Sequence, residues 1–245
     1  MPKVFRCNLH MHTCLSPCGE LDMHPDAIVR ESLAKGLDII AICDHNSSEN
    51  VQYVQRAAHD TDLVVIPGME VTTKEEVHML ALFEHLHELS SLQDVIYDHL
   101  LGKNDEDVFG CQAIVNESGE VEGFNERLLI AAADISLNEV VDLVHSLDGL
   151  AIASHIDRPG FGIIGQLGFV PPDVAFDALE VSYNLGIQAA RQRFPELKGY
   201  PFITSSDAHF VTDIGKACTR MYLESPTFTE IMLALHKQQG RYVLE

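Results

Sequence analysis

CNLHMHTCLSPCGELD, residues 7–22, carries two histidines, two carboxylates and three cysteines. His10 and His12 stand two apart, the spacing at which an extended strand projects both imidazoles to one side. The stretch is therefore a metal site, a redox site or a polar turn. Cys14 and Cys18 are the closely spaced cysteine pair, and a lone CxxxC is weak evidence for zinc. The opening MPKVFRCNLH has no apolar leader, so the six cysteines read as free thiols and the chain as cytoplasmic.

Strand-length apolar runs recur downstream: KVFRCNLH, LDIIAICDH, LVVIPGMEV, VHMLALF, LAIASHI, ALEVSY and PFITSSDAH. Amphipathic stretches separate them, which predicts repeated βα units and a parallel sheet or barrel. HPDAIVRESLAKGL opens with Pro25 in a first helical turn and stops at Gly36. SLNEVVDLVHSLDGL opens with a capping box, Ser136 and Glu139, and SPTFTEIMLALHKQQG repeats the pattern. The expectation is one α/β domain over 1–245, broken by an insertion at about 103–135. In that insertion CQAIVNESGEVEGFN reads as two short strands around a Ser-Gly turn, and ERLLIAAADIS as an apolar ribbon or short helix. It serves as a lid over the site or as a packing and oligomer element.

Ligand-type residues gather at strand ends. His10 and His12 end the first run, Asp44 and His45 the second, Glu70 the third, His155 the fifth, Asp207 and His209 the seventh. His78 opens the fourth run instead of closing it. In a parallel barrel the C-terminal strand ends meet on one face, where sites are built. Each element alone has an ordinary reading, such as the turn chemistry of CDHN or the helix cap of SDAH. Their joint placement does not. Mixed imidazole and carboxylate donors suit Zn, Mn or Fe, and so many donors exceed one tetrahedral ion, so two or three ions are expected.

Acidic residues outnumber basic ones 37 to 16, for a net charge of −21. Such a surface disfavours nucleic acid, whose binding rests on clustered Lys and Arg. An anionic substrate would need a local reversal of sign, which metal ions supply. No apolar run approaches a membrane span.

NLHMHT, ICDHN, PGMEVTT, VHMLAL, ASHIDRP and TSSDAHF, in that order, resemble the motifs of the PHP (polymerase and histidinol phosphatase) superfamily over residues 4 to about 215. The resemblance implies a distorted (β/α)7 barrel, a trinuclear metal centre and phosphoesterase chemistry. It implies one metal on His10, His12, Glu70 and Asp207, and a second sharing Glu70 with His78 and His155. A third would take His45, His209 and a ligand from the loop after His12, while Asp44 orients a neighbour. Two departures stand out. Asn8 replaces a frequent Asp, and Pro17 occupies the usual acidic ligand position. Glu20 is the first substitute, ahead of Asp22 and the Cys18 thiolate; the third site could also be empty.

The expected activity is hydrolysis of phosphate monoesters of a small metabolite or nucleotide by a metal-bridged hydroxide, with Glu70, Asp207 and His209 closest to the chemistry. Arg158 is the candidate to hold a phosphate or carboxylate by its planar fork, or else it pairs with Asp157 or another acid. The alternatives are a nuclease or phosphodiesterase on the same centre and a non-catalytic regulatory module.

Overall fold

The computed structural model describes residues 1–244; residue 245, the last of the expected domain, lies outside the described residues. All seven expected runs are strands: β1 (Lys3–Met11), β2 (Ile39–Ile42), β3 (Val64–Thr72), β4 (His78–Leu82), then, after the insertion hairpin β5 (Ala113–Val115) and β6 (Val121–Phe124), β7 (Leu150–Ala153), β8 (Ala178–Glu180) and β9 (Phe202–Ile203). Two further strands, β10 (Thr219–Leu223) and β11 (Tyr242–Leu244), extend the sheet beyond β1, giving the order β11-β10-β1-β2-β3-β4-β7-β8-β9. The sheet nearly closes on itself. Met11 bridges Ala208, Asp207 N donates to His10 O at 3.0 Å and His12 N to Ala208 O at 3.0 Å. Asn8 adds a side-chain clasp at this seam, donating to Ser206 Oγ (2.6 Å) and accepting from Ser206 N (3.0 Å).

Among the seven expected strands the parallel arrangement fails at one, and the added β10 and β11 are antiparallel as well. β4 runs antiparallel to both β3 and β7, with Thr72 paired to His78 and Met79 to Ala153. Reversal carries the first residue of β4 to the rim where its neighbours end. His78 therefore joins the other ligand types because its strand points the other way.

Alternation along the strands divides the core. Leu9, Ile39, Ala41, Ile66, Leu80, Ile152 and Ile203 fall in one buried cluster, and Ile40, Ile42, Val65, Met79, Ala153 and Phe202 in another. The second set packs against helices α1 (Pro25–Ala34), α2 (Val51–Ala58), α3 (Leu86–His99) and α5 (Leu137–Ser146), which follow a single-turn α4 (Glu106–Phe109) in the case of α5. Short helices α6 (Ile163–Leu167) and α7 (Ile187–Arg193) complete that layer. α8 (Phe228–Leu235) joins the first cluster through Phe228, Ile231 and Leu235, together with Phe5 at the start of β1, far from the rim. The capping box at Ser136 and Glu139 is present, and Pro25 occupies the first turn of α1. No disulfide forms among the described residues, and no helix there is long and apolar enough to cross a membrane.

The insertion packs over the rim. ERLLIAAADIS is a ribbon, not a helix. Buried Asn50 ties the hairpin down: its amide donates to Thr13 Oγ1 (2.9 Å) and Ala113 O (3.0 Å), and its oxygen accepts from Val115 N (3.0 Å). Asn50→Ala strands these backbone groups and is expected to lower unfolding free energy by about 2–4 kcal/mol. Urea denaturation measures this, and a loss under about 0.5 kcal/mol, the level of an ordinary surface change, would show that the clasp is dispensable.

Candidate metal centre

His10 and His12, fully buried, project from the end of β1 with their Nε2 atoms 3.1 Å apart. Two like nitrogens at that distance, both also near carboxylates, point at a shared position. Asp207 Oδ1 lies 3.3 Å from His10 Nε2 and 3.1 Å from His12 Nε2. Glu70, 1% exposed, sits at the centre. Its two oxygens lie 3.3 Å from His10 Nε2, 3.5 Å from His12 Nε2, 3.2 Å from His45 Nδ1, 3.1 Å from His78 Nδ1 and 3.2 Å from His155 Nε2. One carboxylate thus faces five imidazoles.

Three groups have their donor atoms within 4.8 Å of one another: His10, His12 and Glu70; His45, Glu70 and His78; and His12, His45 and His209. His209 stacks on His12 with centroids 4.1 Å apart. The side chains fit divalent cations on a further observation. His45 Nδ1, His78 Nδ1 and Glu70 Oε1 are buried without a hydrogen-bond partner, although they face one another. Buried polar atoms are ordinarily satisfied, and a cation between them would do so.

Electrostatics agree. Burial opposes charge on His10, but Glu180, Asp207 and Glu70 outweigh it and raise its pKa well above the usual histidine value. Burial also opposes ionisation of Glu70, yet His78 and His10 hold it well below the carboxylate range. Burial and the neighbouring His209 push His12 down to about 3, while burial and His12 lower His45 well below its ordinary value. His12 and His45, neutral beside the ionised Glu70, are in the protonation states metals bind, and at His10 a cation would take the place of the proton its carboxylate neighbours favour.

A supporting layer fixes the tautomers. Glu180 Oε2 lies 2.9 Å from His10 Nδ1 and accepts from His155 N at 3.2 Å. Ser16 Oγ donates to Asp44 Oδ1 (2.6 Å) and lies 2.9 Å from His12 Nδ1. The hydroxyl proton is committed to Asp44, so His12 Nδ1–H donates to Ser16 and Nε2 is left free. Asp44 also accepts from Thr13 N and Thr13 Oγ1, both at 2.7 Å, so it orients and does not face the centre. Glu180 was not among the expected residues; its one signal is a carboxylate inside the strand-length run ALEVSY.

The loop residues stand apart from this set. Glu20 N donates to His209 O at 3.0 Å, which holds its backbone beside the centre, but its exposed carboxylate belongs to none of the three groups. Asp22 and Cys18 are exposed and likewise outside them.

Arg158 pairs with Asp207 Oδ2 at 2.5 Å, while Asp157 turns away to accept from Ser182 N and Oγ. Arg158 also lines a pocket of about 180 Å³ with Ile130, Phe161, Asp207 and the ligand-type histidines. Ile130 comes from the insertion ribbon, and Asn46 holds it there. The Asn46 amide donates to Leu129 O (2.8 Å) and Ala131 O (2.9 Å), its oxygen accepts from Thr72 N (3.0 Å), and its backbone is left-handed at φ 50°. His155 and Asp207 also have positive φ, 26° and 48°. Non-glycine residues are rarely held so, and such strain gathers at functional sites.

A nearly closed barrel with histidine and carboxylate donors converging at one rim defines a candidate multinuclear metal site. The PHP domain model matches residues 8–161 and the PHP-associated model residues 191–239, so the chain belongs to the PHP family of metal-dependent phosphoesterases. The fold is similar to the lesion-specific endonuclease Q of Pyrococcus furiosus (TM-score 0.75, 18% identity, 98% of this chain and 58% of that one). It also resembles a protein from Bifidobacterium adolescentis assigned as a metal-dependent phosphoesterase (TM-score 0.63, 18% identity, 97% and 98% covered). Among curated proteins, the uncharacterized protein YqxK of Bacillus subtilis is 34% identical over 106 residues, 41% of this chain and 27% of that protein. A 5'-3' exoribonuclease of Haemophilus influenzae is 30% identical over 84 residues, 33% of this chain and 30% of that protein. The matched regions thus span less than a third of either curated relative.

Proposed function

We propose that the chain is a divalent-metal-dependent phosphomonoesterase acting on a small phosphorylated substrate. The observation that carries this reading is the pocket. About 180 Å³ is below the usual 300–1,000 Å³ of a ligand site, enough for a phosphoryl group and the atoms next to it. One guanidinium, Arg158, stands on its wall, within a chain of net charge −21 that offers little to a long polyanion. His10, His12, Glu70 and Asp207 would hold one ion, and Glu70, His78 and His155 another. His45 and His209 would hold a third, with Glu20 turning inward as the loop ligand. Two or three ions of Zn, Mn or Fe supply an activated water and neutralise charge on the phosphoryl oxygens.

The residues around them do the rest. Glu180 and Ser16 engage the Nδ1 atoms of His10 and His12 and so turn the Nε2 atoms toward the metal positions, and Arg158 can pass from Asp207 to a substrate oxygen. Arg158→Lys keeps the charge and loses the fork, so KM should rise about tenfold, or ~1.4 kcal/mol, with a smaller change in kcat. An unaltered KM would assign the guanidinium to the Asp207 pair alone.

A second reading, a nuclease, is supported by the partial match to an exoribonuclease and the likeness to endonuclease Q. The deciding experiment measures phosphate release from sugar phosphates, nucleoside monophosphates and bisphosphates with Mn present, alongside shortening of labelled oligonucleotides. Phosphate release without shortening supports the phosphomonoesterase. Shortening without release from any monoester overturns it.

A further inference from the structure

Among the side chains lining the pocket, Ile130 and Phe161 are the apolar ones; the rest are ligand-type residues and Arg158. Phe161 is in an unusual state. Its backbone is left-handed at φ 58°, a conformation bulky residues avoid, and the residue is 41% exposed. The turn around it is rigid. Phe161 O accepts from His78 N at 2.9 Å, a Cβ on the next residue, Gly162, would come within 2.9 Å of His155 O, and Ile163 is fully buried. The ring lies nearly parallel to His78, centroids 4.4 Å apart and planes 19° from each other. A ring that only covered His78 would gain by being buried. This one is held strained and open at the pocket wall, three residues from Arg158 on the same turn.

We propose that Phe161 is a specificity-determining residue whose ring stacks on a planar aromatic or heteroaromatic leaving group, with Ile130 as the second apolar wall. The assignment rests on the phosphomonoesterase reading and narrows its substrate class. The turn presents two complementary surfaces, a fork for an anion and a π-face for a ring. Aliphatic esters would meet the first and gain little from the second, because stacking needs a planar partner.

The test uses the metal-loaded full chain and two non-hydrolysable probes, benzylphosphonate and ethylphosphonate, titrated by calorimetry into wild type, Phe161→Leu and Phe161→Trp. Wild type should bind benzylphosphonate at least ten times more tightly. Phe161→Leu should lose about ten- to a hundredfold for benzylphosphonate and less than twofold for ethylphosphonate, while Phe161→Trp retains the preference. KM values for phenyl phosphate and glycerol 3-phosphate should divide in the same way. Equal losses for both probes would mean that Phe161 acts by supporting His78, and would overturn the proposal. So would a wild type without preference, or one that binds neither probe. Should Phe161→Leu lose metal on elemental analysis, wild type and Phe161→Trp decide. Aromatic preference in titration without hydrolysis of any monoester would retain the stacking role and overturn the phosphomonoesterase reading.

Discussion

Glu70→Gln is expected to lower kcat/KM by on the order of 10³-fold or more, about 4 kcal/mol of barrier, and to lower bound metal with it. Glutamine has nearly the shape of glutamate, so packing around a side chain 1% exposed is preserved. What changes is the charge. Five imidazole nitrogens lie 3.1–3.5 Å from the Glu70 oxygens. In the three donor groups of this rim, Glu70 belongs to two, so one substitution weakens both sets. Glutamine would place an N–H donor where an anionic oxygen stands, leaving Asp207 as the carboxylate beside His10 and His12 and only imidazoles at His78 and His155. Elemental analysis after metal-supplemented expression, paired with kcat/KM on the best substrate of the phosphate-release screen, measures the effect. Full metal content with undiminished turnover would remove Glu70 from the centre.

The sequence shows much of this rim because ligand types at strand ends are visible against apolar runs. His10, His12, His45, Glu70, His155, Asp207 and His209 follow from that pattern, and the structure brings them together. Strand direction is a different matter. Period-two burial is the same in either sense, so VHMLALF reads as a strand without showing that it runs backwards. The misplaced position of His78 was the trace of that reversal. β10 and β11 escaped because TRMYL mixes charged with apolar residues and YVL is very short. The insertion hairpin could be read from its turn, but its seat on the rim depends on Asn46 and Asn50, ordinary turn residues in sequence that act through contacts with Ala113, Val115, Leu129 and Ala131. The loop after His12 is the least readable part, since Pro17 removes the usual donor and neither Glu20 nor Asp22 is drawn into the donor groups.

Glu180 shows how a residue outside the donor set can govern it. Buried to 2% exposure, it takes the Nδ1 side of His10 at 2.9 Å and the backbone N–H of His155 at 3.2 Å. Both partners are candidate ligands, on β1 and at the end of β7. Imidazole has two tautomers, and without an acceptor at Nδ1 the His10 proton can move to Nε2, the atom that faces Glu70 and Asp207. Glu180→Ala removes the acceptor and leaves the His155 N–H unpaired, so metal affinity and kcat/KM should each fall about 10- to 100-fold, the range for outer partners of ligating histidines. Glu180→Gln keeps an oxygen for both bonds and loses the charge; it should fall between wild type and the alanine variant. A competitive metal titration gives the affinities, and the ordering separates the two causes. An alanine variant with unaltered affinity would show that Glu180 serves packing alone. A glutamine variant as poor as alanine would show that the negative charge, and not the acceptor at Nδ1, is what His10 needs.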